Sequence, residues 1–281
     1  MIGILGALFA ALAWGSTPVA DARASRAIGA LSTWAWTMLL GLVISVPLAF
    51  GTAGVPHPDA RTVVWTTATG VSIVLGMGLF YRALQLGSVP LVAGILAGDG
   101  TCAAIYALVA GERLAGATLA GIAVVVAGMA IVVAPRRGIT VPGAARAAAL
   151  AIAATVSFGF SLFGGAHVVH DLSPFWITPA TRAIGVLAVA IPLMLRGALV
   201  RPTGVIGFLA YSTIAQIAGF IAYLYATRAI GVPVAAVLAS QAALVGIAFA
   251  FVLLRERLAR RQLIGMAIVL VGVATVSLTR S

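Results

Sequence analysis

Six carboxylates occur in 281 residues, and one of them, Asp99, stands inside an apolar run that reads "ILAGDGTCAA" over residues 95–104. An Asp at the bilayer centre costs about 2.5–3.5 kcal/mol on the scale of helix insertion. The Leu, Ile and Val residues between 88 and 110 offset this by about 2–5 kcal/mol, so the run carries Asp99 and gains no stability from it. Intramembrane acids face a cavity or a partner and mark transport pathways. Gly94, Gly98 and Gly100 thin the helix around it, which lets a substrate or a neighbouring helix reach the backbone. A carboxyl so placed can exchange a proton for a substrate amine. The competing reading is a buried Asp satisfied by a Ser, Thr or Arg of a neighbouring helix.

Arg182 lies about nine residues into a later apolar run. It can pair with Asp99 or hold a substrate carboxylate, since a guanidinium offers a planar fork of donors. It can also reach for the interface or for backbone carbonyls. Ser240 and Gln241 stand at a similar depth to Asp99 in the matching run of the second half. Together with Gln216, Gln85 and Ser157, and with Trp14, Trp36, Tyr81, Phe158, Tyr223 and Tyr225, they can line a mostly apolar pocket with few polar handles. Packing or an interfacial belt is the competing role of each aromatic. The binding candidates are therefore Asp99, Arg182, Ser240, Gln241, Trp14, Tyr81 and Gln216.

The "HVVHD" segment places His167, His170 and Asp171 together. Three such groups can ligate a metal, but nothing adjacent in sequence completes a site, and no metal is assigned. No phosphate-binding Gly-rich loop, nucleophile elbow or paired catalytic carboxylates occur, so neither hydrolysis nor ATP-driven transport is supported, and no cofactor is expected. A lone Cys102 excludes an intrachain disulfide and reads as a small buried apolar residue.

The elements that must hold these residues are membrane helices. The chain is 62% hydrophobic and 8% charged, against about half and a quarter in soluble domains. The net charge of +11 comes from Arg alone, with no Lys, and these Arg sit between apolar runs, where they meet lipid headgroups. No soluble basic face exists for nucleic acid. Apolar runs fall at 2–20, 30–50, 61–83, 88–110, 115–134, 146–167, 174–195, 203–228, 232–254 and 259–278, each long enough to cross the hydrocarbon core. The first resembles a signal peptide but lacks a positive leading region, and it is read as a retained helix.

A shift of 144 residues lays "GERLAGATLAGIAVVVAGMAIVV" (111–133) on "RERLARRQLIGMAIVLVGVATVS" (255–277). Glu112 meets Glu256, Gly121 meets Gly265, Gly128 meets Gly272, Tyr81 meets Tyr225, and Trp14-Gly15 meets Phe158-Gly159. The unit is a duplicated five-helix block, 1–135 and 144–281. Five is odd, so the second copy enters the membrane from the opposite side. Inverted repeats place a substrate site near the midplane, between the halves. The seven-residue Gly spacing suits close helix packing, and the "ERL" steps read as anchors at helix ends.

The "GERL" and "RERL" steps ahead of a last helix of form L-x-G-x6-G, with "AWGS" closing the first, resemble the EamA branch of the drug/metabolite transporter superfamily. The resemblance spans both halves. It implies a ten-helix secondary transporter, often an exporter of small metabolites such as amino acids. The chain departs from that pattern in two places: "AGDGT" stands where the family commonly has Pro, and the second run has no Arg while the seventh keeps Arg182.

The expectation is an all-α membrane protein of ten transmembrane helices in two inverted five-helix repeats. It would move a small organic metabolite, an amino acid or amine, outward by alternating access in a prokaryotic inner membrane, as a monomer or homodimer. Rival readings are an exporter of hydrophobic cations, a non-transporting scaffold and a lipid-modifying enzyme. Twelve Arg follow the odd runs and four the even ones, which puts both termini outside the cytoplasm. The resemblance implies the reverse.

Overall fold

The structure is a computed structural model. It describes residues 1–86, 92, 95–96, 98–113, 115–133, 143–242, 244–246, 264–265, 267–268, 271–272 and 275. Gly94, Glu256, Arg257 and most of the last predicted run lie outside the described residues, as does the Gln85 side chain.

The described residues are helical throughout, without strands. The first span, Ile2–Ile28, comprises α1 (Ile2–Ser16) and α2 (Pro18–Ile28). Pro18 has no N–H to bond into the preceding turn, and the hydroxyl of Thr17 donates instead to the Trp14 carbonyl at 3.0 Å. The run was expected to end near residue 20. It continues because Asp21, Arg23 and Arg26, which read as loop residues, form an amphipathic end to the span. Gly29, at φ +81°, turns the chain into α3 (Ala30–Ala53), a backbone conformation that side-chain-bearing residues rarely adopt. Then come α4 (Ala60–Leu86), α5 (Asp99–Val109), α6 (Gly116–Val133) and α7 (Ala144–Val168). The next span is α8 (Pro174–Gly185), a π-helical segment at Val186–Ala190, and α9 (Ile191–Leu195). After α10 (Ile206–Ile230), Gly231 at φ +75° turns into α11 (Val232–Ala239).

Among the described residues six spans are long and apolar enough to cross a membrane, two of them the composite Ile2–Ile28 and Pro174–Leu195, and shorter apolar helices cover Asp99–Val109, Gly116–Gly128 and Val232–Gly246. The outer surface agrees with a lipid solvent: Leu5, Leu12, Val64, Leu75, Ile152 and Leu187 are each more than half exposed. Between helices the residues are small. Ala7, Ala10, Ala103, Ala235, Ala236 and Ala239 are all fully buried, and without a hydrophobic drive between helices in lipid, such close backbone approach is what holds them.

Packing follows the repeat. α1 lies against α10, and its counterpart α7 lies against α4; α3 lies against α8, and α5 against α11. α3 and the α8–α9 span run antiparallel. Ser32 at one end accepts from the Val200 amide, Gly41 faces Arg182 in the middle, and Trp176 donates to the Gly54 carbonyl at the other end. Repeat-related glycines make repeat-related contacts. A Cβ on Gly41 would stand 3.0 Å from Arg182 Cδ, and one on Gly185 would stand 2.6 Å from Met38 Sδ. Residues 38 and 182 are themselves 144 apart, as are 41 and 185.

Candidate functional site

Arg182 is 9% exposed, in the last turn of α8 and facing α3 and α10. The Thr178 and Thr181 hydroxyls satisfy carbonyls of the same helix, and the π-helical segment begins four residues on. Such wide turns recur at functional sites. The guanidinium donates from Nη1 and Nη2 to Gln216 Oε1, both at 3.3 Å, and from Nη1 to Met38 Sδ at 3.6 Å. Gln216 Nε2 donates to Ser212 Oγ at 2.9 Å, and Ser212 Oγ donates to Asp21 Oδ1 at 2.6 Å. Trp14 Nε1 donates to the Gln216 carbonyl at 3.3 Å, and its ring meets Tyr223 at 5.9 Å. A line of polar groups therefore joins an acid of the first half to a cation of the second, through one face of α10.

A second polar locus lies where two helices break. Regular α5 begins at Asp99, after a turn at Gly98, where a continuous span was expected. The Asp99 carboxylate accepts from the Gly100 amide at 2.6 Å, in the first turn of a helix, where free N–H groups and the helix dipole favour an anion. α11 ends at Ala239, and Ser240 and Gln241 form a turn. These breaks face each other, since a Cβ on Gly100 would stand 2.7 Å from Ser240 Cβ. Ser240 and Gln241 are 8% and 6% exposed; both donate to the Val237 carbonyl, and Gln241 Oε1 has no partner among the described residues. Discontinuous helices with half-helix ends in the core are a common way to build ion and substrate sites in membranes.

The AWGS segment connects the loci. Trp14 touches Gln216, while Gly15 fits against Ala242 and Val245, just past the second break. Its counterpart Gly159 fits against Asp99 and Cys102 at the first break. Among the described residues no ion pair joins Asp99 to Arg182; Arg182 is occupied by Gln216 and Met38. Tyr81 sits outside the hydrogen-bonded line, packed with Trp34 at 6.1 Å and with the Met38 cluster.

Two cavities lie elsewhere. One, of about 360 Å³ at a bundle end, is lined by Glu112, His167, His170 and Arg228. It draws together the first "ERL" step and the "HVVHD" segment, and Arg61 Nη2 sits 3.0 Å from His167 Nε2. Among the described residues no three His, Cys, Asp or Glu side chains are grouped to hold a metal. The other, of about 380 Å³, is an apolar groove between α3, α8 and α10, lined by Ile44, Leu48, Phe175 and Ile221.

Sequence reasoning grouped Arg182, Gln216 and Trp14 as candidates and passed over Asp21 and Ser212. Trp14, Thr17 and Asp21 are spaced three and four apart, and Ser212 and Gln216 four apart, so helical periodicity carries the signal. Pro18 and the adjacent Arg residues hid it by resembling a loop.

No curated protein matches this sequence. A solved structure described as "Crystal structure of protein" is similar in fold at a TM-score of 0.80, with 17% sequence identity, over 99% of this chain and 96% of that one. The EamA-like transporter family matches twice, over residues 1–134 and again over 145–278. With both halves matched, the chain belongs to the EamA-like transporter family, and it is a multi-pass membrane protein of that transporter fold.

Proposed function

We propose that the protein is a secondary active transporter, exporting a small organic metabolite that carries a carboxylate, an amine or both, by alternating access across a prokaryotic inner membrane. The observation that carries this is Arg182: a buried cation between the halves of a transporter fold, hydrogen-bonded to a neutral amide and a thioether. A guanidinium so held costs several kcal/mol of desolvation and retains donors for a carboxylate ligand. Gln216 and Trp14 flank that ligand, and Tyr81 closes the aromatic side. Asp99, with Ser240 and Gln241 across from it, takes and releases the coupling proton at the paired helix breaks.

Ten crossings in two inverted five-helix repeats, 1–135 and 144–281, complete the reading. The antiparallel course of α3 and the α8–α9 span, counterparts under the 144-residue shift, supports inversion. The working unit is a monomer or homodimer with no cofactor. A second reading, export of hydrophobic cations, draws on the ring cluster of Trp65, Tyr106, Phe160 and Phe163, whose centroids lie between 5.6 and 6.3 Å apart.

Uptake into proteoliposomes separates these readings. Amino acids should drive counterflow and lipophilic cations should not. Asp99→Asn should flatten the pH dependence of uptake, and an unchanged pH profile in that variant removes Asp99 from the mechanism.

A further inference from the structure

We propose that Asp21 is the second charged pole of the Arg182 site and sets its selectivity for zwitterions. The ligand's cationic group replaces Ser212 at Asp21, and its anionic group replaces Gln216 at Arg182. This rests on the transport reading above.

Asp21 and Arg182 carry opposite charges and come from opposite halves of the chain. Two neutral side chains of α10 separate them, each bonded to one pole and to one another. A counter-ion that served only to neutralise Arg182 would gain most by direct contact, where Coulomb attraction and hydrogen bonding coincide. Here the spacers stand where a ligand with both charges can substitute for them. Ser212 and Gln216 lie one turn apart on α10, so a single small molecule spans the positions that their side chains occupy. The exchange is also favourable in kind: at both ends a hydrogen bond with one charged partner gives way to one in which donor and acceptor are both charged.

A second observation points to an anion at the Arg182 end. Trp34 is 3% exposed, and its Nε1 has no acceptor among the described residues. It packs in one cluster with Met38, whose sulfur accepts from Arg182. Buried indole N–H groups ordinarily find a partner. An anionic group reaching Arg182 beside Met38 supplies one. The Trp14 and Tyr223 rings at 5.9 Å give the remainder of the ligand an apolar wall.

The test uses the full chain in proteoliposomes with three isosteric probes: phenylalanine (zwitterion), phenylpropionate (acid only) and phenethylamine (amine only). Wild type should take up phenylalanine, with each single-charge analogue competing about tenfold or more weakly. Asp21→Asn should bring phenylalanine and phenylpropionate to within about twofold of one another, chiefly through a raised KM. Asp21→Glu should keep most of the preference. A preference unchanged in Asp21→Asn overturns the proposal. Should that variant fail to purify, the wild type decides: analogues competing as well as phenylalanine overturn it, and weak competition by both upholds it. Wild type that moves none of the three probes overturns the transport reading itself.

Discussion

The polar groups at the centre of the protein can be removed singly. Gln216→Leu keeps the volume and takes away the acceptor for two Arg182 N–H groups. The expected loss of stability is about 1–3 kcal/mol, read from unfolding of the purified protein in detergent. Arg182→Lys keeps the charge but loses the fork, and uptake should fall about tenfold or more. At the surface, Asp59 precedes α4, and hydrogen bonds from the Thr62 side chain and then from the Thr62 amide, the latter at 2.8 Å, hold its carboxyl below its ordinary value. A lowered value means that the charged form steadies the fold. The contribution is present at neutral pH and disappears as acid titrates the group. The gap in Tm between wild type and Asp59→Ala should therefore hold above about pH 5 and close as the pH falls through and below 3.8. Asp99 and Arg182 stood out as candidates in the sequence because a charge in an apolar run has no cheap explanation. Asp21 was not, because a Pro and two Arg beside it resemble a solvated turn, and only packing against α10 shows that the helix continues.

Among elements, most helices could be read from hydropathy, since the lipid imposes their length. α3, α7 and the α8–α9 span begin within two residues of the runs at 30–50, 146–167 and 174–195. The break before α5 was harder to see, because Gly98 and Gly100 read equally well as a thin helix face and as a hinge. What decides for a break is the turn at Gly98, and Gly159 of α7 packs its backbone against Asp99 and Cys102 just beyond it. Gly159→Val would drive two methyl groups into that contact. It should destabilise the protein by about 1–3 kcal/mol and lower uptake, whereas the same change at Gly51, where nothing lies within 4 Å of a Cβ, should leave both unchanged. Expression and thermal stability by fluorescence-detected size exclusion check the pair.

For the whole molecule, the duplication was legible because matching residues recur at one ungapped offset; how the copies face one another emerges only from contacts. Inversion predicts opposite exposure for equivalent loops. In a Cys102→Ala background, Cys placed at Gly54 and at Gly204 should react with a membrane-impermeant maleimide from opposite sides of sealed vesicles; labelling from one side refutes inversion. The pairing of Met38 with Arg182 adds a consequence. If the halves were identical, trading their conformations would yield a state of the same energy, and neither face would be preferred at rest. One half contributes a thioether and the other a cation, so that degeneracy is lifted. Under the alternating access proposed above, the empty carrier would lean toward one side of the membrane, and a ligand that neutralised Arg182 would lessen that lean.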